Sequence, residues 1–172
     1  MKIIVSVILT IAAIAVIGVV YMYSGSYNVS AMEHEGGIAR WVLNTTRRNS
    51  INSRIKDIKV PDLNNDEMIS EGLSHYKEMC ATCHGAPGEA ETELAKGLNP
   101  DAPDLVKFGN RIPPEKIFWV TKNGIRMTGM PAWGPTHSDD KIWDIVAAVR
   151  KLNQISPSKY SAVKVEEEGD DY

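Results

Sequence analysis

An uninterrupted apolar run opens the chain. No charged side chain occurs from Ile3 to Tyr23, and Lys2 precedes the run. As a helix this run would be about 32 Å long, which is enough to cross the hydrocarbon core of a bilayer. Tyr21 and Tyr23 would then lie at the membrane interface, where aromatic rings with a polar tip are enriched. The pattern predicts a transmembrane anchor over residues 1–24.

A second, amphipathic pattern follows a connector rich in Gly, Ser and Asn. Ile38, Trp41 and Val42 recur at steps of three and four residues, the spacing of one helix face. The arginines at positions 40, 47 and 54 fall elsewhere on this helix. We assign residues 25–64 to a stem helix and linker and interpret His34 as a surface residue. The stem could dock on a partner or on anionic lipid headgroups, or it could be a solvated helix packed on the next domain, which we favour.

Three further helical patterns, separated by loops, lie within residues 65–153. Asn65 predicts an N-cap for a helix that runs towards residue 80, and Ser138 predicts one for the last helix. A shorter pattern runs from Glu115 to Lys122. Residues 85–110 are rich in Gly, Pro, Ala and acidic side chains and are expected to be mostly loop. Because no strand-like alternation of any length occurs, the predicted fold class is all-α.

Charge is unevenly distributed along the chain. The net charge is +4 over residues 1–59, −4 over residues 60–153 and −3 over residues 154–172, which gives the overall −3. No basic stripe is interleaved with aromatic residues, so nothing indicates nucleic-acid binding. Residues 154–172 end in the acidic segment EEEGDDY, and we expect this tail to be disordered.

The two cysteines of the chain lie in the segment CATCH, residues 80–84. A Cys-x-x-Cys pair can form a dithiol redox centre, supply half of a zinc site, or attach a c-type haem. A dithiol centre usually adjoins a βαβ pattern, and a zinc site requires two further ligands at matching spacing; the sequence shows neither. The haem interpretation also uses His84: Cys80 and Cys83 would form thioethers, and His84 would bind the iron. One such motif predicts one covalent haem c.

The direction of membrane insertion agrees with this interpretation. Lys2 favours a cytoplasmic N-terminus, so the residues after position 24 would lie on the exported side, where haem is attached. We therefore expect a single-pass protein of the cytoplasmic (inner) membrane with its haem domain in the periplasm. A cleaved signal peptide ending near Ala31 is the alternative, although the apolar run exceeds the roughly 7–15 residues of a signal core. A disulfide between the two exported cysteines is another alternative.

A second axial ligand is expected in the loop GIRMTGMPAW, residues 124–133. A methionine thioether opposite His84 raises the reduction potential of the iron and closes it to other ligands. Met130 is preferred to Met127, because Pro131 fixes the backbone immediately after it. His137 is an alternative sixth ligand that would still give an electron carrier.

Several of these motifs together resemble one protein family. CATCH preceded by Gly72 and Tyr76, the loop GIRMTGMPAWGP, and a last helix carrying Trp143 are similar to the class I c-type cytochromes. More closely, they resemble the membrane-anchored mono-haem cytochromes c of Gram-negative bacteria. The resemblance covers about residues 65–153. It implies a small helical bundle wrapped around one covalent haem, with Gly72 at the crossing of the first and last helices, opposite Trp143.

The resemblance also implies roles for individual residues. Cys80 and Cys83 match the thioether cysteines, His84 the proximal ligand and Met130 the distal ligand. The carbonyl of Pro103 would accept a hydrogen bond from the second ring nitrogen of His84, which orients the ring and tunes the iron. The other expected haem contacts are Leu105, which would wall the haem, and Trp119, Arg126 and Trp133, which would line it or bind its propionates.

We expect a protein that transfers electrons between redox partners at the outer face of the membrane rather than an enzyme. It would act as a free anchored carrier or as a subunit of a respiratory complex, with its donor and acceptor undetermined by the sequence. The alternative is a five-coordinate haem protein that binds small gases or acts as a peroxidase. A thiol protein with free or disulfide-bonded cysteines is a third hypothesis. No small-molecule substrate is expected.

Overall fold

The computed structural model describes residues 1–33 and 36–165, and all regular secondary structure in those ranges is helical. Backbone contacts divide the chain into two compact units, residues 1–34 and residues 35–172. The prediction of an all-α fold is therefore confirmed. His34 and the EEEGDDY segment at residues 166–172 lie outside the described residues.

The first unit contains helix α1, Lys2–Tyr23. Among the residues that the structure describes, α1 is the one helix long and apolar enough to cross a membrane, with a mean hydropathy of 3.1. None of its residues is buried. The predicted apolar helix at the N-terminus is confirmed with nearly the predicted bounds.

The second unit contains eight α-helices within its described residues. In chain order they are α2 (Gly37–Arg54), α3 (Asp66–His75), α4 (Ala81–His84), α5 (Glu93–Lys96), α6 (Leu105–Phe108), α7 (Pro114–Asn123), α8 (Asp139–Lys151) and α9 (Pro157–Ser161). A wider helical turn, Tyr76–Cys80, joins α3 to α4, and 3₁₀ turns occur at Gly109–Arg111 and Leu152–Gln154.

The predicted helix starts are capped as their sequences indicate. The side chain of Asn65 accepts a hydrogen bond from Glu67 N at 2.8 Å, and that of Ser138 accepts one from Lys141 N at 3.3 Å. These bonds satisfy backbone donors that have no partner within a first helical turn. Both helices carry acidic residues in that turn, where the helix dipole favours negative charge.

Helices α3 and α8 cross with their backbones in contact. A Cβ on Gly72 would lie 1.8 Å from the backbone oxygen of Asp144, so only glycine allows this crossing. Beside it, Trp143 stacks on Phe118 of α7, with ring centroids 4.2 Å apart. The crossing expected at Gly72 is therefore present, and the same contact attaches α7 to the pair.

The core surrounds this crossing and extends to the wider turn before CATCH. Tyr76 is completely buried, as are three side chains of α8 and the turn that follows it, Ile142, Val146 and Leu152. Helix α2 adds to the unit through its second half, where Ile51 is buried and the helix contacts α7. The second half of α2 is therefore packed against α7.

Residues 85–110 are more ordered than the loop prediction. Thr92 and Asp104 cap the four-residue helices α5 and α6 by accepting bonds from Ala95 N and Lys107 N. A single helical turn can form with a capping side chain and without a long apolar repeat. The amino-acid composition of this segment therefore resembles that of a loop. The prediction that this segment is mostly loop is confirmed, and it did not include these two helical turns.

Residues 154–165 also differ from the prediction of a disordered tail. Tyr160 of α9 is almost completely buried. Lys77 Nζ donates hydrogen bonds to the carbonyl oxygens of Ser161 and Val163 at 3.0 and 2.8 Å. A Cβ on Gly88 would clash with Pro157, which shows how closely α9 approaches the segment after CATCH. The acidic residues that suggested disorder begin only at position 166.

Substitution of Gly72 by alanine tests the crossing. The added methyl group would meet a backbone oxygen that cannot rotate away, so we expect the free energy of unfolding to fall by about 3 kcal/mol. Gly37→Ala is the matched control, because nothing lies within 4 Å of its Cβ position. Guanidinium titrations followed by far-UV circular dichroism measure both. Equal stabilities for the two variants would contradict the close crossing.

A carboxyl group at the same crossing has an altered pKa. Burial, followed by the negative charges of Glu71, Asp140 and Glu67, raises the pKa of Asp144, while His75 acts in the opposite direction. A folded-state pKa above the unfolded value means that the contribution to stability is present at low pH. It is lost as the pH rises through the folded-state pKa.

Substitution of Asp144 by asparagine should therefore stabilise the protein at neutral pH only. We expect a gain of about 0.5 kcal/mol or less at pH 7, because the carboxyl remains largely solvated and its repulsion is screened. The gain should vanish below about pH 3, where aspartate is largely protonated in both states. Denaturant titrations at the two pH values, repeated with added salt, measure it. An equal gain at both pH values would exclude an electrostatic origin.

Candidate haem-attachment site

The CATCH segment lies on a helix that changes its hydrogen-bond spacing just before the first cysteine. The N–H of Ala81 donates to the carbonyl of Tyr76, five residues earlier, instead of four. Such wider turns often occur at functional sites because they rotate the residues that follow. The Tyr76 hydroxyl donates to the carbonyl of Gly85 at 2.6 Å, and Gly85 ends α4 with φ +83°. Tyr76 therefore holds the cysteine segment at both ends.

The two cysteine thiols are close in sequence but are not joined by a disulfide. Cys80 is buried and Cys83 is half-buried. Burial, and then the neighbouring Cys83, raises the pKa of the Cys80 thiol to about 12. Redox-active dithiols have lowered thiol pKa values, which supply the reactive thiolate. The environment of Cys80 therefore disfavours a dithiol redox centre.

His84 is oriented by a hydrogen bond to the backbone. Its Nδ1 lies 2.9 Å from the carbonyl oxygen of Pro103. Because a carbonyl can only accept, Nδ1 carries the proton and Nε2 keeps its lone pair. Burial lowers the pKa of His84, and the bond to Pro103 partly opposes this. His84 is thus held as a neutral imidazole with Nε2 able to bind a metal, the arrangement typical of metal-ligating histidines.

The Pro103 carbonyl is itself supported by the start of α6. Asp104 accepts a hydrogen bond from Lys107 N at 3.0 Å and forms a salt bridge with Lys107 Nζ at 2.7 Å. The next residue, Leu105, is half-buried and packs against the core. The structure therefore brings His84 and Pro103 together, as the resemblance implied. Leu105 follows Pro103 by two residues.

The loop that contains both candidate methionines folds back on the end of α7. Trp133 N donates to Thr121 O at 3.0 Å, and Ile125 N donates to Met130 O at 3.1 Å. At Gly124, with φ +64°, a Cβ would lie within 2.9 Å of backbone atoms of residues 130–132. Glycine is therefore required where the loop closes.

The structure distinguishes the two methionines. Met127 is 86% exposed and has φ +60°, which directs it away from the packed part of the loop. Met130 is half-buried. Thr128 ties the segment together: its hydroxyl donates to Ile125 O at 2.8 Å and accepts from Met130 N at 3.2 Å. These contacts favour Met130 as the ligand. The sequence analysis missed Thr128, although a threonine two residues before a candidate ligand is a known turn signal.

The remaining candidates have different environments. Trp119 and Trp133 are half-buried, whereas the side chain of Arg126 is exposed. His137 contacts the edge of the Trp133 ring, with centroids 5.4 Å apart, and its Nδ1 lies 2.9 Å from Thr136 Oγ1. This engagement disfavours His137 as a sixth ligand.

The donor set fits a c-type haem. One helical turn supplies two thiols and one oriented neutral imidazole, and a constrained loop supplies a half-buried thioether. These are the groups that attach and ligate haem in c-type cytochromes. By contrast, the described residues contain no group of three or more His, Cys, Asp or Glu side chains that could hold a metal ion on their own.

One comparison with known proteins, the match to a family model, agrees with the site. Residues 67–147 match the family model described as cytochrome c oxidase, cbb3-type, subunit III. The chain is also similar to cytochrome cL from the marine methylotrophic bacterium Methylophaga aminisulfidivorans MPT, with 21% identity over 86% of this chain and 90% of that one and a TM-score of 0.36. No curated protein sequence matches significantly. The family match runs from α3 into α8 and includes both cysteines, His84 and the Met130 loop, which supports a c-type cytochrome domain in this part of the chain.

Proposed function

We propose that this protein is a single-haem electron carrier whose haem is attached through Cys80 and Cys83 and ligated by His84 and Met130. The observation that carries the proposal is the bond from His84 Nδ1 to Pro103 O on the same turn as the two cysteines. A bond of this kind fixes the ring and leaves the other ring nitrogen able to bind a metal, as in metal-ligating histidines.

The bound haem would supply one-electron chemistry between ferrous and ferric iron. The protein's own residues would hold the two axial positions, so that neither oxygen nor a substrate reaches the metal. Leu105, Trp119 and Trp133 would supply apolar walls, and Arg126 would meet a propionate at the exposed rim. This arrangement suits electron transfer through an exposed haem edge rather than catalysis at the iron.

We further propose that α1 anchors the protein in the cytoplasmic membrane and that residues 65–153 form a periplasmic haem domain. Residues 25–64 would connect the two. Lys2 before α1 supports this topology. Contacts with a redox donor and acceptor would be small, with less than about 1,200 Å² buried, as is usual for such encounters. The cbb3-type subunit match makes membership of a respiratory oxidase complex one form of this proposal.

Substitution of Met130 by alanine tests the axial ligand. The haem should remain covalently attached, since the cysteines are unchanged, but one axial position would become open. We expect the oxidised protein to lose the weak near-infrared band of methionine ligation and the reduced protein to bind CO. Visible and near-infrared spectra of the holoprotein, recorded before and after CO addition, measure this.

Met127→Ala is the matched control, because Met127 is exposed and lies in the same loop. It should keep the near-infrared band and exclude CO. An unchanged spectrum and no CO binding in Met130→Ala would refute the ligand assignment. CO binding by the unmodified protein would instead favour a five-coordinate haem that binds gases or acts as a peroxidase.

Thr128 should control how firmly Met130 is held. Thr128→Val keeps the side-chain shape but removes the acceptor for Met130 N and the donor to Ile125 O, which should destabilise the methionine-bound loop by about 1–3 kcal/mol. The near-infrared band should weaken, and the reduced protein should bind CO partially. Thr128→Ser retains the hydroxyl and should restore both properties. Identical spectra for the two variants would show that the hydroxyl has no positioning role.

A further inference from the structure

The first half of α2 exposes a cluster of large apolar side chains. The exposed fractions are 82% for Ile38, 67% for Trp41, 45% for Val42 and 48% for Leu43. The second half of the same helix is packed, and Ile51 is 5% exposed. Residues 37–43 therefore carry apolar surface that the rest of the described chain does not cover.

The same helix is strongly cationic. Helix α2 contains four arginines and no aspartate or glutamate: Arg40, Arg47, Arg48 and Arg54. None of them forms a salt bridge with a carboxylate of the described residues. Arg40 and Arg47 lie on a different face from Ile38, Trp41 and Val42, at the helical spacing of 100° per residue. An apolar face with an indole and an arginine-rich opposite side are the features of helices that lie in a membrane interface.

The length of the connector limits where α2 can be. Residues 24–36 join the end of α1 to the start of α2. Even when fully extended they span at most about 45 Å. If α1 crosses a membrane, Gly37 therefore stays within this distance of the membrane surface in any arrangement of the two units.

We propose that residues 37–43 of α2 lie in the headgroup–acyl boundary of the membrane that holds α1, with Ile38 and Trp41 inserted. Arg48, which is about 20° from Trp41 at 100° per residue, would meet anionic phospholipid at the edge of this face. The proposal rests on the anchor under the proposed function. Lipid is favoured over a protein partner because arginine stems extend along apolar surface and place their charge at phosphate level. The indole of Trp41 also belongs to the type of side chain enriched at this depth.

Photo-crosslinking of the full-length holoprotein in nanodiscs tests this contact. The amino acid p-benzoylphenylalanine replaces Ile38, and nanodiscs contain phosphatidylcholine alone or with phosphatidylglycerol. We expect phospholipid adducts by mass spectrometry at position 38, several-fold more with the anionic lipid. Position 53, an exposed site in the packed half of α2, is the matched control and should give few adducts. The variant Arg48→Gln should remove the anionic preference, whereas Arg47→Gln, on the opposite side of the helix, should keep it.

Two results would refute the lipid contact. If position 38 crosslinks protein instead of lipid in native membranes, or gives no more lipid adducts than position 53, the proposed lipid contact is wrong. Extraction with alkaline carbonate tests the anchor separately: release of the chain would refute the anchor and the lipid contact together. A retained chain without adducts at position 38 refutes the lipid contact alone. The absorption spectrum of the haem reports its attachment and ligation, and therefore tests the proposed function independently of the anchor and the lipid contact.

Discussion

The backbone contact between α3 and α8 at Gly72 is the constraint on which the site depends. Each half of the donor set is covalently joined to one of these helices. Helix α3 continues through Tyr76–Cys80 into the cysteines and His84, whereas the Met130 loop leads directly into α8. The stack of Trp143 on Phe118 then ties α7, from which that loop departs, to the same pair. A single glycine thus determines the distance between the two segments that would enclose a haem.

Around this crossing, backbone carbonyls rather than side-chain pairs determine the geometry of the site. The carbonyl of Pro103 orients His84, that of Gly85 holds Tyr76, and that of Met130 closes its loop onto Ile125. Carbonyl groups carry no titratable proton, so the acceptor in each of these contacts does not change with pH. Within the described residues the two salt bridges, at Lys107 and Lys122, lie on partly exposed side chains, where ion pairs contribute little to stability.

Features with a strong local signal could be predicted from the sequence. The apolar helix at the N-terminus follows from a long uncharged run, and the caps at Asn65 and Ser138 each follow from one residue with a defined conformational role. The crossing at Gly72 was instead implied by the family resemblance. The short helices α5 and α6, the wider turn before Cys80 and the packing of Tyr160 could not be predicted from the sequence. They depend on long-range contacts, such as Lys77 with the carbonyls of Ser161 and Val163, which leave no periodic pattern. The hydrogen bonds of Thr128 are local and could have been predicted from the sequence. Its role in holding Met130 becomes evident only from the structure of the loop.

The packing of α9 has a consequence for how the protein matures. Pro157 approaches Gly88, and Lys77 binds the carbonyls of Ser161 and Val163, so α9 braces the helix that carries the cysteines. On the proposed topology the chain is exported from its N-terminal side, and residues 157–163 follow the whole haem domain across the membrane. During that interval the cysteines would have emerged while their brace had not, so the CATCH segment would still lack the contacts that α9 makes. The order of residues along the chain would thus leave a period in which haem could be attached before the fold closes.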